Sequence, residues 1–182
     1  MSQQGKEFQF SLFNMKNKKI FGGALLKKSN AKEKRPISTK HAMHIVIRSN
    51  HARGKQNFLT KTNKAAIDRI LKKQAKIRGI RLYRYENVGN HLHILLKTGH
   101  RKWLCGYLRA VTGLIARQVL GVERGQGKGI QFWDARPFSR VVAWGRDYNN
   151  VKKYFKKNQL QAMGFSLNRL EKDLAGLQPD SS

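Results

Sequence analysis

The sequence predicts an α+β fold of the ferredoxin-like, split βαβ kind, in which helices cover an antiparallel sheet. Strand-like and helix-like periods alternate in the order strand, helix, strand, strand, helix, strand, helix. Only Gly89-Asn90 separates the two central strand-like runs, a spacing that makes a tight antiparallel hairpin. A chain of 182 residues can bury one core with appendages and is too short for two generous ones.

Residues 1–35 are rich in Lys, Asn, Gln, Gly and Ser, and read as a basic, flexible arm before Pro36. In "STKHAMHIVIRSN", His41, Met43, Ile45 and Ile47 alternate with Ala42, His44, Val46 and Arg48, the period of a strand. The following "TNKAAIDRILKKQAKIRG" puts Ala66, Ile67, Ile70, Leu71 and Ile77 near one helical face and stops at Gly79. The runs "IRLYRYENV" and "HLHILLK" form the hairpin. Leu104, Leu108, Val111, Ile115 and Val119 then make the apolar stripe of a second helix ending at Gly121. "GVERGQGKGIQ" reads as a mobile loop, "FWDARPFSRVVAW" as an extended run, and Tyr148 to Ala162 as a last helix closing before Gly164. The folded domain spans 36–165; a polar tail over 166–182 adds a short helix and a frayed end.

Charge dominates the composition: 38 Lys and Arg against 10 Asp and Glu give a formal +28. Such a chain seeks a polyanion, and nucleic acid is the natural one, because neutralised phosphates release counterions. No basic amphipathic helix with an exposed aromatic face points to a membrane, and "IFGGALL" is too short to span one. The single Cys105 excludes an internal disulfide and a cysteine-based zinc site; it reads as a small buried apolar residue in a cytoplasmic protein.

In "GNHLHILLK" the strand period places His91 and His93 on one face, while Leu92, Ile94 and Leu96 take the other. Two adjacent imidazoles can share one cation, or can simply sit on a polar strand face. The second constellation is "NNVKKYFKKNQLQAMGF", where Tyr154 and Asn158 stand one helical turn apart on a common face. A phenol is a weak nucleophile unless positive charge or a base assists it, and Lys152, Lys153, Lys156 and Lys157 flank this one. Tyr148, Tyr83, Tyr85 and Tyr107 read as packing residues, and His100 as an ordinary surface histidine.

Together these segments resemble the HUH single-tyrosine transposases, in the branch of the REP-associated tyrosine transposases. "VGNHLHILLK" resembles their His-hydrophobic-His motif, "KHAMHIVIRS" their first strand, and "FWDARPFSRVVAWGRDYNNVKKYFKKNQLQAMG" their block ending in Tyr-x-x-x-Asn, over roughly Arg35 to Phe165. The chain departs from the usual Asn-Pro at that end, with Asn158-Gln159. The resemblance implies that 36–165 is a catalytic domain with a ferredoxin-like core. It makes Tyr154 the nucleophile, and His91, His93 and Asn158 the ligands of Mg²⁺ or Mn²⁺. It implies cleavage of single-stranded DNA beside a hairpin through a 5′-phosphotyrosine, in the bacterial cytoplasm or nucleoid, with no membrane partner. Lys153, Lys157, Arg136, Arg140 and Arg146 are then the expected contacts to phosphates, with Trp144 interleaved as a ring on which bases could stack, whereas Trp133 and Phe138 read first as core packing. Asp134 is expected to meet an arginine. Monomer and homodimer both fit. The competing reading is a non-catalytic or domesticated protein that recognises structured DNA or RNA, although "HLHILLK" lacks the aromatic pattern of the common RNA-binding sheets.

Overall fold

The computed structural model describes residues 21–22, 37–123, 126, 129 and 131–162. The strands are β1 (Phe21–Gly22), β2 (Ala42–Arg48), β3 (Arg81–Asn87), β4 (His91–Lys97) and β5 (Phe138–Val142). The α-helices are α1 (Lys61–Ile77), α2 (Arg101–Leu120) and α3 (Arg146–Ala162). All strand pairings are antiparallel, in the order β1-β5-β2-β4-β3. From β2 onward the elements follow the expected sequence, and the fold is α+β.

β2 lies in the middle of the sheet and is buried on both faces. Met43, Ile45 and Ile47 join Leu92, Ile94 and Leu96 in the larger core with α1 and α2. Ala42 joins Leu95 and Val142 in a smaller core with Val151, Tyr154 and Phe155 of α3. Two faces of one sheet are therefore covered by different helices, and the candidate site lies entirely on the α3 side.

Helix ends follow local chemistry. Thr60 caps α1, its hydroxyl accepting from the Asn63 N–H at 3.4 Å. At the other end Gly79 takes φ +60°, and the Ile80 and Gly79 N–H groups donate to the Ala75 and Lys76 carbonyls, a Schellman closure. The buried stripe of α1 is Asn63, Ile67, Leu71 and Ala75. Ile77, expected on that stripe, is 58% exposed because it falls seven residues after half-buried Ile70, at the margin of the face and off the line of Ile67, Leu71 and Ala75. α2 buries all five of its expected apolar positions and stops at left-handed Gly121. His100 is more than a surface histidine: its Nδ1 accepts from the Lys102 N–H at 3.1 Å and caps α2. Cys105 is exposed on α2, not buried as expected, since it stands just after Leu104 and off the stripe.

Two further expectations change. Only Phe138–Val142 of the extended run pairs as a strand, and α3 starts at Arg146, two residues early. Phe21–Gly22, within the segment read as a flexible arm, pairs with Arg140 and Ser139 and extends the β5 edge. The rest of that arm, much of the 121–131 loop, Gly164 and the C-terminal tail lie outside the described residues. Among the described residues, no helix is long and apolar enough to cross a membrane.

Candidate functional site

The hairpin sets the position of His91. Gly89 and Asn90 form its two-residue loop, closed by the Val88 N–H donating to the His91 carbonyl at 3.0 Å. Gly89 has φ +93°, a conformation that suits glycine at the first position of such a turn. Its carbonyl accepts from the Phe58 N–H at 2.8 Å, and Asn87 Nδ2 donates to the Phe58 carbonyl at 2.8 Å. The start of β4 is thus tied to the segment that precedes α1.

From this anchor, His91, His93, Leu95 and Lys97 point to the α3 side of the sheet. The His91 and His93 rings stand with centroids 4.9 Å apart. The Tyr154 ring, from α3, meets His93 edge-on at 5.4 Å, so a single chain brings both constellations together. Tyr154 is 7% exposed and Asn158 8%. Asn158 follows one turn later on the same helical face.

A third imidazole, not among the sequence candidates, completes the cluster. His44 Nε2 lies 3.1 Å from His93 Nδ1, and the two rings stack with centroids 5.3 Å apart. The reason is register: Val46 pairs with His93, which makes His44 a diagonal neighbour on the same face. Glu86 also reaches this face, directly across from His93, but its carboxylate is engaged by Arg84 Nε at 2.8 Å.

Hydrogen bonding assigns the ring nitrogens. His91 Nδ1 is 2.7 Å from Asn90 Oδ1, and a carbonyl oxygen only accepts, so Nδ1 carries the proton and Nε2 the lone pair. His93 Nε2 is buried with no hydrogen-bond partner. A proton on that nitrogen would be a stranded donor. The economical tautomer puts the proton on Nδ1, donating to His44 Nε2, and leaves a lone pair on Nε2. Burial keeps all three rings neutral. It pushes His44 down to about 3, with Arg140 adding repulsion, and His91 down to about 4, with Arg48 adding to it. His93 is held well below the usual histidine range by burial and then by His44 and His91.

These features fit a divalent cation. Neutral imidazoles with free Nε2 lone pairs and occupied Nδ1 atoms are the form in which histidine binds metals. The Asn158 amide nitrogen is also buried without a hydrogen-bond partner, so an amide turned end for end would present its oxygen there. Among the described residues, no three His, Cys, Asp or Glu side chains form a metal-binding group.

The expected DNA contacts separate into two sets. Arg136, Arg146 and Lys153 are exposed, and Lys157 is half-buried. Arg140 departs from expectation: it is 1% exposed, and its Nη1 and Nη2 meet the Asp147 carboxylate at 3.2 and 2.9 Å. A charge on a strand buried under α3 needs a counter-charge, and Asp147 in the first turn of α3 supplies it. Arg140 is therefore built into the packing between β5 and α3 rather than displayed at the surface as expected. Asp134 meets Arg48 at 3.6 Å and accepts from the Asn50 N–H at 2.8 Å. Phe138 is buried, and Trp133 packs against the main core while donating its indole N–H to the Thr112 carbonyl at 3.1 Å.

No protein-family model matches this chain, and no curated protein matches it. Among solved structures it is similar to a REP-associated tyrosine transposase bound to a REP hairpin, with TM-score 0.58 and 14% identity, over 82% of this chain and 89% of that one. A second similarity, to a "putative transposase" from Deinococcus radiodurans R1, has TM-score 0.43 and 17% identity, over 70% of this chain and 97% of that one. The first establishes a shared fold.

Proposed function

We propose that this protein is a metal-dependent single-stranded DNA endonuclease and strand transferase, a transposase of hairpin-flanked elements, with Tyr154 as nucleophile. The observation that carries the reading is the meeting of Tyr154 with His93, whose buried Nε2 is unpartnered, in a chain of formal charge +28. The fold shared with a transposase bound to a REP hairpin supports the choice of hairpin DNA as substrate.

His91, His93 and Asn158 would hold Mg²⁺ or Mn²⁺, which when bound polarises the scissile phosphate and offsets its developing charge. The chain's own work is positioning. Tyr154 loses its proton as its oxygen attacks phosphorus; the P–O3′ bond breaks, and the 3′-oxygen takes up a proton. The products are a 5′-phosphotyrosine and a free 3′-hydroxyl. Reversal by the same or another 3′-hydroxyl rejoins strands without nucleotide hydrolysis. Single-stranded DNA suits the site because Tyr154, on a fixed helix and 7% exposed, is hard to align with a phosphate held in a duplex. Arg146, Lys153 and Lys157, all on α3, hold flanking phosphates, while Arg136 lines a groove with Arg109, Thr112 and Ala116 of α2.

Incubation of the protein with end-labelled single-stranded hairpin DNA and Mn²⁺ tests this. A denaturation-resistant protein–DNA adduct is expected, absent from Tyr154→Phe. His91→Ala and His93→Ala should lose the adduct and keep salt-sensitive binding. An adduct formed by Tyr154→Phe overturns the nucleophile, and its absence from the unaltered protein across varied hairpins, with binding intact, favours a non-catalytic binder.

A further inference from the structure

At the far end of the α3 face from the histidines, three aromatic side chains from three different elements come together. Trp144, in the connection from β5 to α3, meets Tyr148 of α3 at 4.9 Å between centroids and Tyr83 of β3 at 5.7 Å. Tyr83 and Tyr148 meet at 5.9 Å. Each ring carries its own cation: Arg81 lies 5.5 Å from the Tyr83 centroid, Lys97 is 6.0 Å from that of Trp144, and Lys152 is 5.7 Å from that of Tyr148. Trp144 is 44% exposed, although a ring of that area would ordinarily be buried. It is not loose, because its indole N–H donates to the Lys40 carbonyl at 3.0 Å. The neighbouring carboxylate, Asp147, is taken up by Arg140. A fixed, half-open indole with two phenols, flanked by Arg81, Lys97 and Lys152, has the chemistry of a surface on which unpaired bases stack while phosphates meet ammonium and guanidinium groups.

Its place on the fold is equally specific. Lys97 shares β4, and the same face, with His93 four residues away, about 13 Å at strand spacing. Tyr148 precedes Tyr154 on α3 by six residues, about 9 Å of helix. These two intervals correspond to roughly four and three nucleotides at the stacked spacing of about 3.4 Å. We infer that Trp144, Tyr83 and Tyr148, with Arg81, Lys97 and Lys152, form a stacking platform for the unpaired bases of a DNA strand that flanks the phosphate at Tyr154. This rests on the proposed function for what lies at Tyr154, while binding at the platform is a separate measurement.

The test is binding of a fluorescein-labelled oligothymidylate to the full chain in the presence of a chelator, so that no cleavage takes place. Trp144→Ala is expected to weaken binding about tenfold, the effect of losing one stacked base, with the dependence of affinity on salt unchanged. Lys97→Gln is expected to lower the slope of log affinity against log salt by about one. Trp144→Phe should recover most of the loss, which separates stacking from misfolding. Trp103→Ala, which removes the other exposed indole, should bind like the unaltered protein. An abasic oligomer of the same length should show no Trp144 effect. Unaltered binding by Trp144→Ala, or an equal loss on the abasic oligomer, overturns the platform. Trp144-dependent binding in a protein that forms no phosphotyrosine adduct when Mn²⁺ is supplied leaves the platform standing and the enzymatic reading fallen; adduct formation with Mn²⁺ together with base-independent binding is the reverse.

Discussion

Asp147→Ala removes the carboxylate that meets the buried guanidinium of Arg140. Two charge-assisted hydrogen bonds are lost, at 3.2 and 2.9 Å, and so is the 3.1 Å bond that Asp147 Oδ2 accepts from the Ala143 N–H at the entry to α3. Breaking a buried pair from one side costs about 3–5 kcal/mol, because the remaining charge keeps its desolvation penalty. The Asp147 side chain is 19% exposed against 2% for Arg140, so water can relax around the vacated position, and the lower end, about 3 kcal/mol, is the expected loss. For a chain of this size that corresponds to a fall of roughly 6–12 °C in the thermal unfolding midpoint. The double variant Arg140→Met with Asp147→Ala should recover much of the loss, since an apolar side chain carries no desolvation penalty. Circular dichroism melts of the two single variants and the double variant decide the matter. Equal losses in all three, or a change of only a degree or two in Asp147→Ala, would refute the reasoning. Arg140→Met should also leave the salt dependence of DNA binding unchanged, which a phosphate contact would not.

His44→Phe keeps an aromatic ring in place but removes the acceptor that fixes the His93 tautomer; Mn²⁺ affinity is expected to fall about 10- to 100-fold in titration calorimetry, and an unchanged affinity would reduce His44 to packing. Acid should destabilise the metal-free protein over a definite window. The folded-state values of His44 and His91, about 3 and about 4, lie below the unfolded value of 6.5, so the unfolded chain takes up protons that the folded one refuses. Stability from this source is complete above pH 6.5 and declines as pH falls toward 4; urea midpoints at pH 7.5 and pH 5 test it, with equal values counting against buried, neutral rings.

The fold was legible wherever a period or a stop signal was strong. The stripe of α2, the hairpin at Gly89-Asn90 and the glycine stop at Gly79 are local facts, and the backbone follows them. Ile77 shows the limit: it lies at the margin of the apolar face, off the line of Ile67, Leu71 and Ala75, and an apolar residue at a margin stays in water. His44 escaped notice because its importance depends on which residue of β4 lies opposite Val46, and register between strands distant in sequence is set by the assembled sheet. Arg140 looked like one of many exposed basic residues in a chain of this charge. The informative signal was nearby in "FSRVVAWGRD", where a lone arginine in an apolar strand is followed seven residues later by an aspartate. Cys105 was misplaced by composition alone, whereas the spacing around Leu104 and Leu108 would have put it outside the stripe.

The Arg140–Asp147 contact also bears on alignment at a distance. Tyr154 and Asn158 ride on one rod, His91 and His93 on the sheet, and the rod is bolted to the sheet near its first turn. From Asp147 to Asn158 is a lever arm of about 16 Å, so a tilt of only about 5° at the bolt swings the carboxamide by roughly 1 Å relative to the imidazoles. A displacement of that size can cost about a hundredfold in rate. Under the proposed function, slack at this buried ion pair would thus emerge as lost strand cleavage well before the protein unfolds.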